Sequence, residues 1–252
     1  MMPVLGVIPA RLGSTRLARK PLQLLGGEPL VVRVLARAHA LAVADAVVVA
    51  TDAPEVQAVV ERAGGRAIMT ASTHDTGTER VAEVARRSEF ARFDVLVNLQ
   101  GDEPFLPREA ALGALDRITR GDDVGTAAVP LPAAAAGDPA RVKVVLDERG
   151  RALYFSRALI PFPREPDEVA AEYWQHLGIY AYTRPALMRW VAAPPCALER
   201  IERLEQLRAL HLGLEIGVAT LERTALPGID TPADLARAEA AWHTLAMGEG
   251  IR

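Results

Sequence analysis

Four short apolar runs, at residues 4–8, 46–50, 66–69 and 95–99, punctuate the first hundred positions, and each has the length of a β-strand. Several are apolar throughout, as strands covered on both faces must be. Between them the period of the pattern changes. Val31, Val34, Leu35 and Ala38 form one stripe of a helix over residues 29–41. Val56, Val59, Val60 and Ala63 do the same over 54–63, where Gly64-Gly65 ends the helix with a left-handed cap. A third helix is expected over 78–88. Strands alternating with helices of this length predict an α/β fold, a mostly parallel Rossmann-like sheet with helices on both faces.

The second half is less regular. Strands are expected at 124–131, 141–146, 152–156, 178–182 and 216–219, with a loop at 133–138 and a hairpin turn at 147–150. Pro161, Pro163 and Pro166 break any regular element, and residues 161–171 receive no role. An amphipathic helix is expected over 198–212, its apolar face running Leu198, Ile201, Leu204 and Leu207, and a terminal helix over 232–247. No repeat and no linker is visible. The expectation is one nucleotide-handling domain over residues 1–252, elaborated in roughly 125–220.

Composition narrows the function classes. The formal net charge is −3, which argues against a broad nucleic-acid-binding face, since tracking a duplex needs clustered excess Lys and Arg. With one cysteine, Cys196, the chain can form no disulfide within itself, in keeping with a reducing compartment. No charged leader precedes the first apolar run and no stretch nears the ~20 apolar residues of a membrane span. The expected location is the cytoplasm, without membrane association.

Chemistry concentrates in three segments. Residues 9–21 follow the first strand, at the carboxyl edge where open α/β sheets bind ligands, and offer Arg11, Arg16, Arg19 and Lys20 with Gly13, Ser14 and Thr15. Several cations and close backbone approach suit a triphosphate, although the spacing is not that of a Walker A loop. The alternative is a solvated basic loop. Asp102, in Gln100-Gly101-Asp102-Glu103-Pro104, sits just past another strand, where a carboxylate can hold Mg²⁺ against phosphate oxygens or merely shape a turn. Asp230 precedes Thr231-Pro232, a cap with proline at the first helical position, and Asp234 answers the cap. Asp230 is then free to face a metal, or else only aids the helix start. Thr76-Gly77-Thr78-Glu79-Arg80 opens another helix able to take an anion, and His74 before it reads as a solvated loop residue.

Together these segments resemble the 3-deoxy-manno-octulosonate (KDO) cytidylyltransferase family. The resemblance also rests on Ile8-Pro9-Ala10-Arg11, Lys143-Val144-Val145-Leu146, Ala152-Leu153-Tyr154-Phe155-Ser156-Arg157, His176-Leu177-Gly178-Ile179-Tyr180 and Leu204-Glu205-Gln206-Leu207-Arg208, in family order along nearly the whole chain. It implies transfer of CMP from CTP to KDO, with release of pyrophosphate, for lipopolysaccharide synthesis. It implies CTP held by Pro9, Ala10, Arg11, Ser14, Arg16, Lys20 and Gln100, with Arg11, Lys20, Asp102 and Asp230 catalytic. Mg²⁺ would rest on Asp102 and Asp230. The sugar acid would be lined by Arg80, Gln100, Tyr154, Arg157, His176, Tyr180, Glu205 and Gln206. A homodimer is implied too, formed by the 125–220 elaboration. Cytidylyl transfer to another sugar acid, such as a sialic acid or an amino-substituted KDO, and a catalytically silent nucleotide-sugar binder are the competing readings. The family usually has Leu-Pro-Gly-Lys-Pro where this chain has Leu17-Ala18-Arg19-Lys20-Pro21, so Arg19 adds a cation and removes a glycine from the loop.

Overall fold

A computed structural model describes residues 2–13, 16–165, 172–223 and 226–248, with side chains as far as Trp242. The strands in chain order are β1 (Val4–Ala10), β2 (Leu24–Leu25), β3 (Glu28–Pro29), β4 (Ala46–Thr51), β5 (Ala67–Met69), β6 (Val95–Asn98), β7 (Val124–Leu131), β8 (Lys143–Leu146), β9 (Ala152–Ser156), β10 (Tyr173–Thr183) and β11 (Ile216–Thr220). The helices are α1 (Leu30–Leu41), α2 (Pro54–Arg62), α3 (Gly77–Arg86), α4 (Arg108–Thr119), α5 (Ala133–Ala136), α6 (Arg184–Ala192), α7 (Ala197–Glu202), α8 (Gln206–His211) and α9 (Pro232–Gly248).

Backbone contacts divide the chain into two compact units. The first holds residues 1–93, 98–106 and 226–252, the second 94–97 and 107–225. The chain crosses beside β6 at 93/94, within it at 97/98 and beside α4 at 106/107, so no linker marks those crossings in the sequence.

In the first unit β1, β4 and β5 are parallel, with Val7 opposite Val48 and Val49 opposite Ala67. Leu5, Val7, Ile8, Val48 and Val49 are buried, and α1 and α3 pack on β1 and β4. The helix stripes read from the sequence are the ones buried here, through Val31, Val34, Leu35, Ala38, Val56 and Val60, although Ala63 is exposed. Gly64 adopts φ 76°, the left-handed cap its position predicts. The last helix returns to this unit. Its Trp242 lies with the Arg33 guanidinium 4.3 Å over the ring and the Phe105 ring 6.0 Å away, while Glu239 accepts the Gly26 N–H at 2.8 Å. Only glycine fits at Gly26, where φ is 57° and a Cβ would come within 2.2 Å of the indole.

The second unit has a mixed sheet. β11 runs parallel to β7, and β7, β10, β8 and β9 follow as antiparallel neighbours. An aromatic cluster of Phe155, His176, Tyr180, Tyr182 and Trp190 fills its interior. Three expectations are corrected. Residues 133–138 contain the single helical turn α5 rather than only a loop. The helix expected over 198–212 is two short helices, broken where Arg203 adopts φ 54°. Leu198 and Ile201 face solvent, at 41% and 78% exposure, while Leu204 and Leu207 are buried, so no single apolar face runs through all four.

Candidate active site

The carboxyl edge of the first unit is built by close backbone approach. Leu99 donates its N–H to the Val7 carbonyl at 2.9 Å, and a Cβ on Gly101 would fall 2.5 Å from the Pro9 carbonyl oxygen. Glycine at 101 therefore lets residues 100–102 lie directly beside the end of β1. A cavity of about 280 Å³ opens there, lined by Pro9, Ala10, Arg11, Arg16, Lys20, Arg80, Gln100 and Asp102. Ser14 lies outside the described residues.

The start of α3 forms the facing wall. Thr76 accepts the Glu79 N–H and the Glu79 carboxylate accepts the Thr76 N–H, a reciprocal cap. Thr76 and Gly77, at the helix start expected to take an anion, join the cavity wall, and Asp75, to which the sequence assigns no role, joins them. Arg11 donates to the Asp75 carbonyl at 3.2 Å. Arg80, only 2% exposed, is aimed by Asp52 at 3.0 Å and by the Thr70 hydroxyl. His74 is not a solvated loop residue. It is half-buried, and its Nε2 meets Glu83 at 2.5 Å, which ties the loop before α3 to the helix itself.

Two carboxylates from distant parts of the chain converge on one atom. Lys20 Nζ donates to Asp102 Oδ2 at 2.7 Å and to Asp230 Oδ1 at 2.9 Å, and Arg16 Nη2 reaches the same Asp230 oxygen at 2.9 Å. The convergence has a backbone cause, because Ile229 donates its N–H to the Asp102 carbonyl at 2.9 Å. Downstream, Thr231 and Asp234 cap α9 reciprocally, at 2.8 and 3.2 Å, and leave the Asp230 carboxylate to Lys20 and Arg16. Burial alone would lower the Lys20 pKa, but Asp102 and then Asp230 hold the ammonium above its ordinary value. Hard oxygen donors gathered this closely suit a divalent cation that takes one or two carboxylates plus phosphate oxygens. The donor set therefore fits Mg²⁺.

Glu103, next to Asp102 in the chain, is a third carboxyl at this place, and the sequence alone assigns it no role. Gly228 packs against it, for a Cβ there would approach Glu103 Oε1 to 2.9 Å. Burial first, then the charges of Asp102 and Asp230, push its pKa from 4.5 up to about 8, against the pull of Lys20. The folded protein thus holds a proton that the unfolded chain has released between those values. This contribution to stability is complete below pH 4.5 and is lost as pH rises through 8. In metal-free protein we expect roughly 3 kcal/mol of stability to disappear between pH 6 and pH 9. Urea titrations at the two pH values should show a much smaller loss for Glu103→Gln; equal losses would place the proton elsewhere.

Arg19 departs from the loop expectation. Its guanidinium lies 3.6 Å from Glu55 on α2 and is no part of the cavity wall, so it adds no cation to the site. Its backbone nonetheless keeps φ 51°, ψ 36°, the left-handed conformation that glycine adopts without penalty. Arg19→Gly should stabilise the protein by about 0.5–1 kcal/mol and leave turnover within twofold. A thermal shift assay and a steady-state rate check both.

The sugar-acid residues of the sequence reading divide between the units. Arg80 and Gln100 belong to the first, the other six to the second. Within the second unit, His176 and Tyr180 are ring neighbours at 5.3 Å, beside a β-bulge between Leu177 and Tyr180. Thr126 gives its hydroxyl proton to the Ile179 carbonyl at 2.6 Å, so the His176 Nε2–H donates to it at 2.9 Å. Burial lowers the His176 pKa to about 3 and keeps the imidazole neutral. Tyr180 is raised well above its ordinary value by burial and by the neighbouring Tyr182 and Glu205, which sets Glu205 in the same cluster. Gln206 is buried at the start of α8, and Tyr154 is half-buried, its pKa raised by burial and by Glu202. Arg157 donates to the backbone carbonyls of Glu202 at 2.8 Å and Pro139 at 3.0 Å, so its guanidinium braces the α7–α8 junction.

A basic loop at the carboxyl edge of a parallel sheet, opposite paired carboxylates, defines a nucleotidyltransferase. The chain belongs to the cytidylyltransferase family, whose model matches residues 5–216. A 3-deoxy-manno-octulosonate cytidylyltransferase of Gemmatimonas aurantiaca is 56% identical over 248 residues, covering 97% of this chain and 96% of that protein. Its counterpart from Yersinia pseudotuberculosis is 44% identical over 95% of this chain and 98% of its own length. Among solved structures, a CMP:2-keto-3-deoxy-manno-octonic acid synthetase complexed with CTP superposes with a TM-score of 0.89 at 40% identity, over 96% of this chain and 99% of that one. A 4-diphosphocytidyl-2C-methyl-D-erythritol synthase from Anaerococcus prevotii, 12% identical with a TM-score of 0.61, shares the fold.

Proposed function

We propose that this enzyme transfers CMP from CTP to 3-deoxy-D-manno-octulosonate, releasing pyrophosphate and supplying the activated sugar for lipopolysaccharide synthesis. The observation that supports it most is the meeting of Asp102, Asp230 and Lys20 at the mouth of a cavity walled by Arg11, Arg16 and Arg80. Arg11, Arg16 and Lys20 bind the triphosphate and neutralise the charge that grows on departing pyrophosphate. Pro9, Ala10 and Gln100 bound the nucleotide's place along the sheet edge. Asp102 and Asp230 would hold Mg²⁺, which when bound would supply Lewis-acid chemistry to the attacking anomeric hydroxyl and the α-phosphate. In the second unit Tyr154, Arg157, His176, Tyr180, Glu205 and Gln206 bind and orient the sugar acid, and the neutral His176 acts there as a hydrogen-bonding group rather than a charge. The rate enhancement is then placement and electrostatics, with no covalent enzyme intermediate.

A screen of CTP and Mg²⁺ against a panel of sugar acids, reading pyrophosphate, tests the assignment. Turnover on KDO is expected; turnover confined to a sialic acid, or none on any acid, would overturn it. We also propose that the enzyme acts in the cytoplasm, as a homodimer joined through the second unit. Leu153, Phe162 and Ile201 are 62%, 78% and 78% exposed there, on β9, the loop after it and α7. These elements meet where Glu202 accepts from Ser156 and from the Arg157 N–H. Sedimentation at micromolar concentration should give a dimer, and Ile201→Glu should give a monomer.

A further inference from the structure

Lys20 occupies the point at which a cation would have to sit. Its ammonium is within 3 Å of both carboxylates, at 2.7 and 2.9 Å, and its side chain is only 17% exposed. Arg16 adds a second positive charge to Asp230. Two carboxylates are thus balanced by two side-chain cations, and the cluster is neutral with nothing bound. A divalent ion entering alone would have to displace the ammonium into a cavity that already holds Arg11 and Arg16. A triphosphate changes this balance. It carries about four negative charges into the same cavity, where charge-assisted hydrogen bonds to phosphate oxygens offer Lys20 and Arg16 a competing partner. The four-carbon lysine stem can follow, since a lysine ammonium is a point charge on a flexible arm.

We propose that Lys20 is an internal stand-in for the divalent cation: it holds Asp102 and Asp230 together in the nucleotide-free enzyme and yields them only when a triphosphate draws its ammonium away. Cation and nucleotide therefore load together, and the enzyme does not store a metal ion between turnovers. The inference rests on the reading of Asp102 and Asp230 as the cation site. It adds to that reading a competitor, and the competitor fixes the sign of an effect. A ligand that must expel an internal rival binds more weakly by the fraction of time the site is open.

The test is Mn²⁺ binding to the full-length protein without nucleotide, followed by electron paramagnetic resonance of free Mn²⁺ and by calorimetry. Wild type should bind weakly, and Lys20→Met and Lys20→Gln should each bind about tenfold more tightly, although both lose turnover. A non-transferable CTP analogue with a methylene between the α and β phosphates should tighten Mn²⁺ binding in the wild type by at least as much. Equal or weaker Mn²⁺ binding in both Lys20 variants would overturn the stand-in role. Asp102→Asn separates the two failures. If it abolishes Mn²⁺ binding while the Lys20 variants do not tighten it, only the stand-in role falls. If it leaves Mn²⁺ binding unchanged, the cation site itself is misassigned.

Discussion

Asp102→Asn is expected to lower turnover about 10²–10³-fold, with a smaller loss of CTP affinity. An amide keeps the size of the side chain, but it is a poorer ligand for a hard divalent cation and carries no charge to anchor one. It also removes one of the two carboxylates that hold Lys20, at 2.7 Å, so the cation that faces the phosphates loses its fixed starting place. Phosphoryl-group transfer depends on such placement and charge for most of its acceleration, and losing a single preorganised electrostatic partner commonly costs 10²–10³ in rate. Asp230→Asn should behave alike, because Asp230 shares the same ammonium. Steady-state rates with CTP and the sugar acid decide it. A variant within tenfold of wild type would remove Asp102 from the chemistry.

The second large effect is expected within the second unit. Arg208, 2% exposed, forms a two-pronged pair with Glu199, with Nε–Oε2 at 2.8 Å and Nη2–Oε1 at 2.6 Å, and also donates to the Ala193 carbonyl at 3.1 Å. Glu199 caps α7 as well, accepting the Cys196 N–H. The pair therefore joins α7 to α8 across the left-handed residue Arg203, and Glu205 and Gln206 stand at that junction. Glu199→Gln should destabilise the protein by about 3–5 kcal/mol, the usual consequence of breaking one side of a buried ion pair. In the fraction that stays folded, KM for the sugar acid should rise more than KM for CTP. A loss below 1 kcal/mol with unchanged KM values would show that the junction is held by packing alone.

The way these two regions were legible in the sequence differs for a physical reason. The first unit follows rules that act over short spans. Apolar strands, stripes at helical spacing and a left-handed glycine after α2 each announce themselves within a dozen residues, and the basic loop lies directly behind β1. The convergence of Asp102 and Asp230 was expected from the family pattern. Its cause, the Ile229 N–H to Asp102 carbonyl bond, joins segments more than a hundred residues apart and has no local signal. The same is true of Glu103, whose pKa is raised by burial first and then by the charges of Asp102 and Asp230. The break between α7 and α8 was hidden because a left-handed turn is usually marked by glycine, and here Arg203 makes it. An apolar spacing of three ran straight across it. His74 looked solvated because its partner, Glu83, is two turns into the following helix and meets it only when the loop curls back.

The single most direct measurement is anomalous diffraction from crystals grown with Mn²⁺ and the methylene analogue of CTP. One strong peak should lie within ordinary metal–oxygen distance of a carboxylate oxygen from both Asp102 and Asp230 and of the α-phosphate, with the Lys20 ammonium moved onto the phosphates. A peak held by phosphates alone, with Lys20 still bridging the two aspartates, would contradict the account.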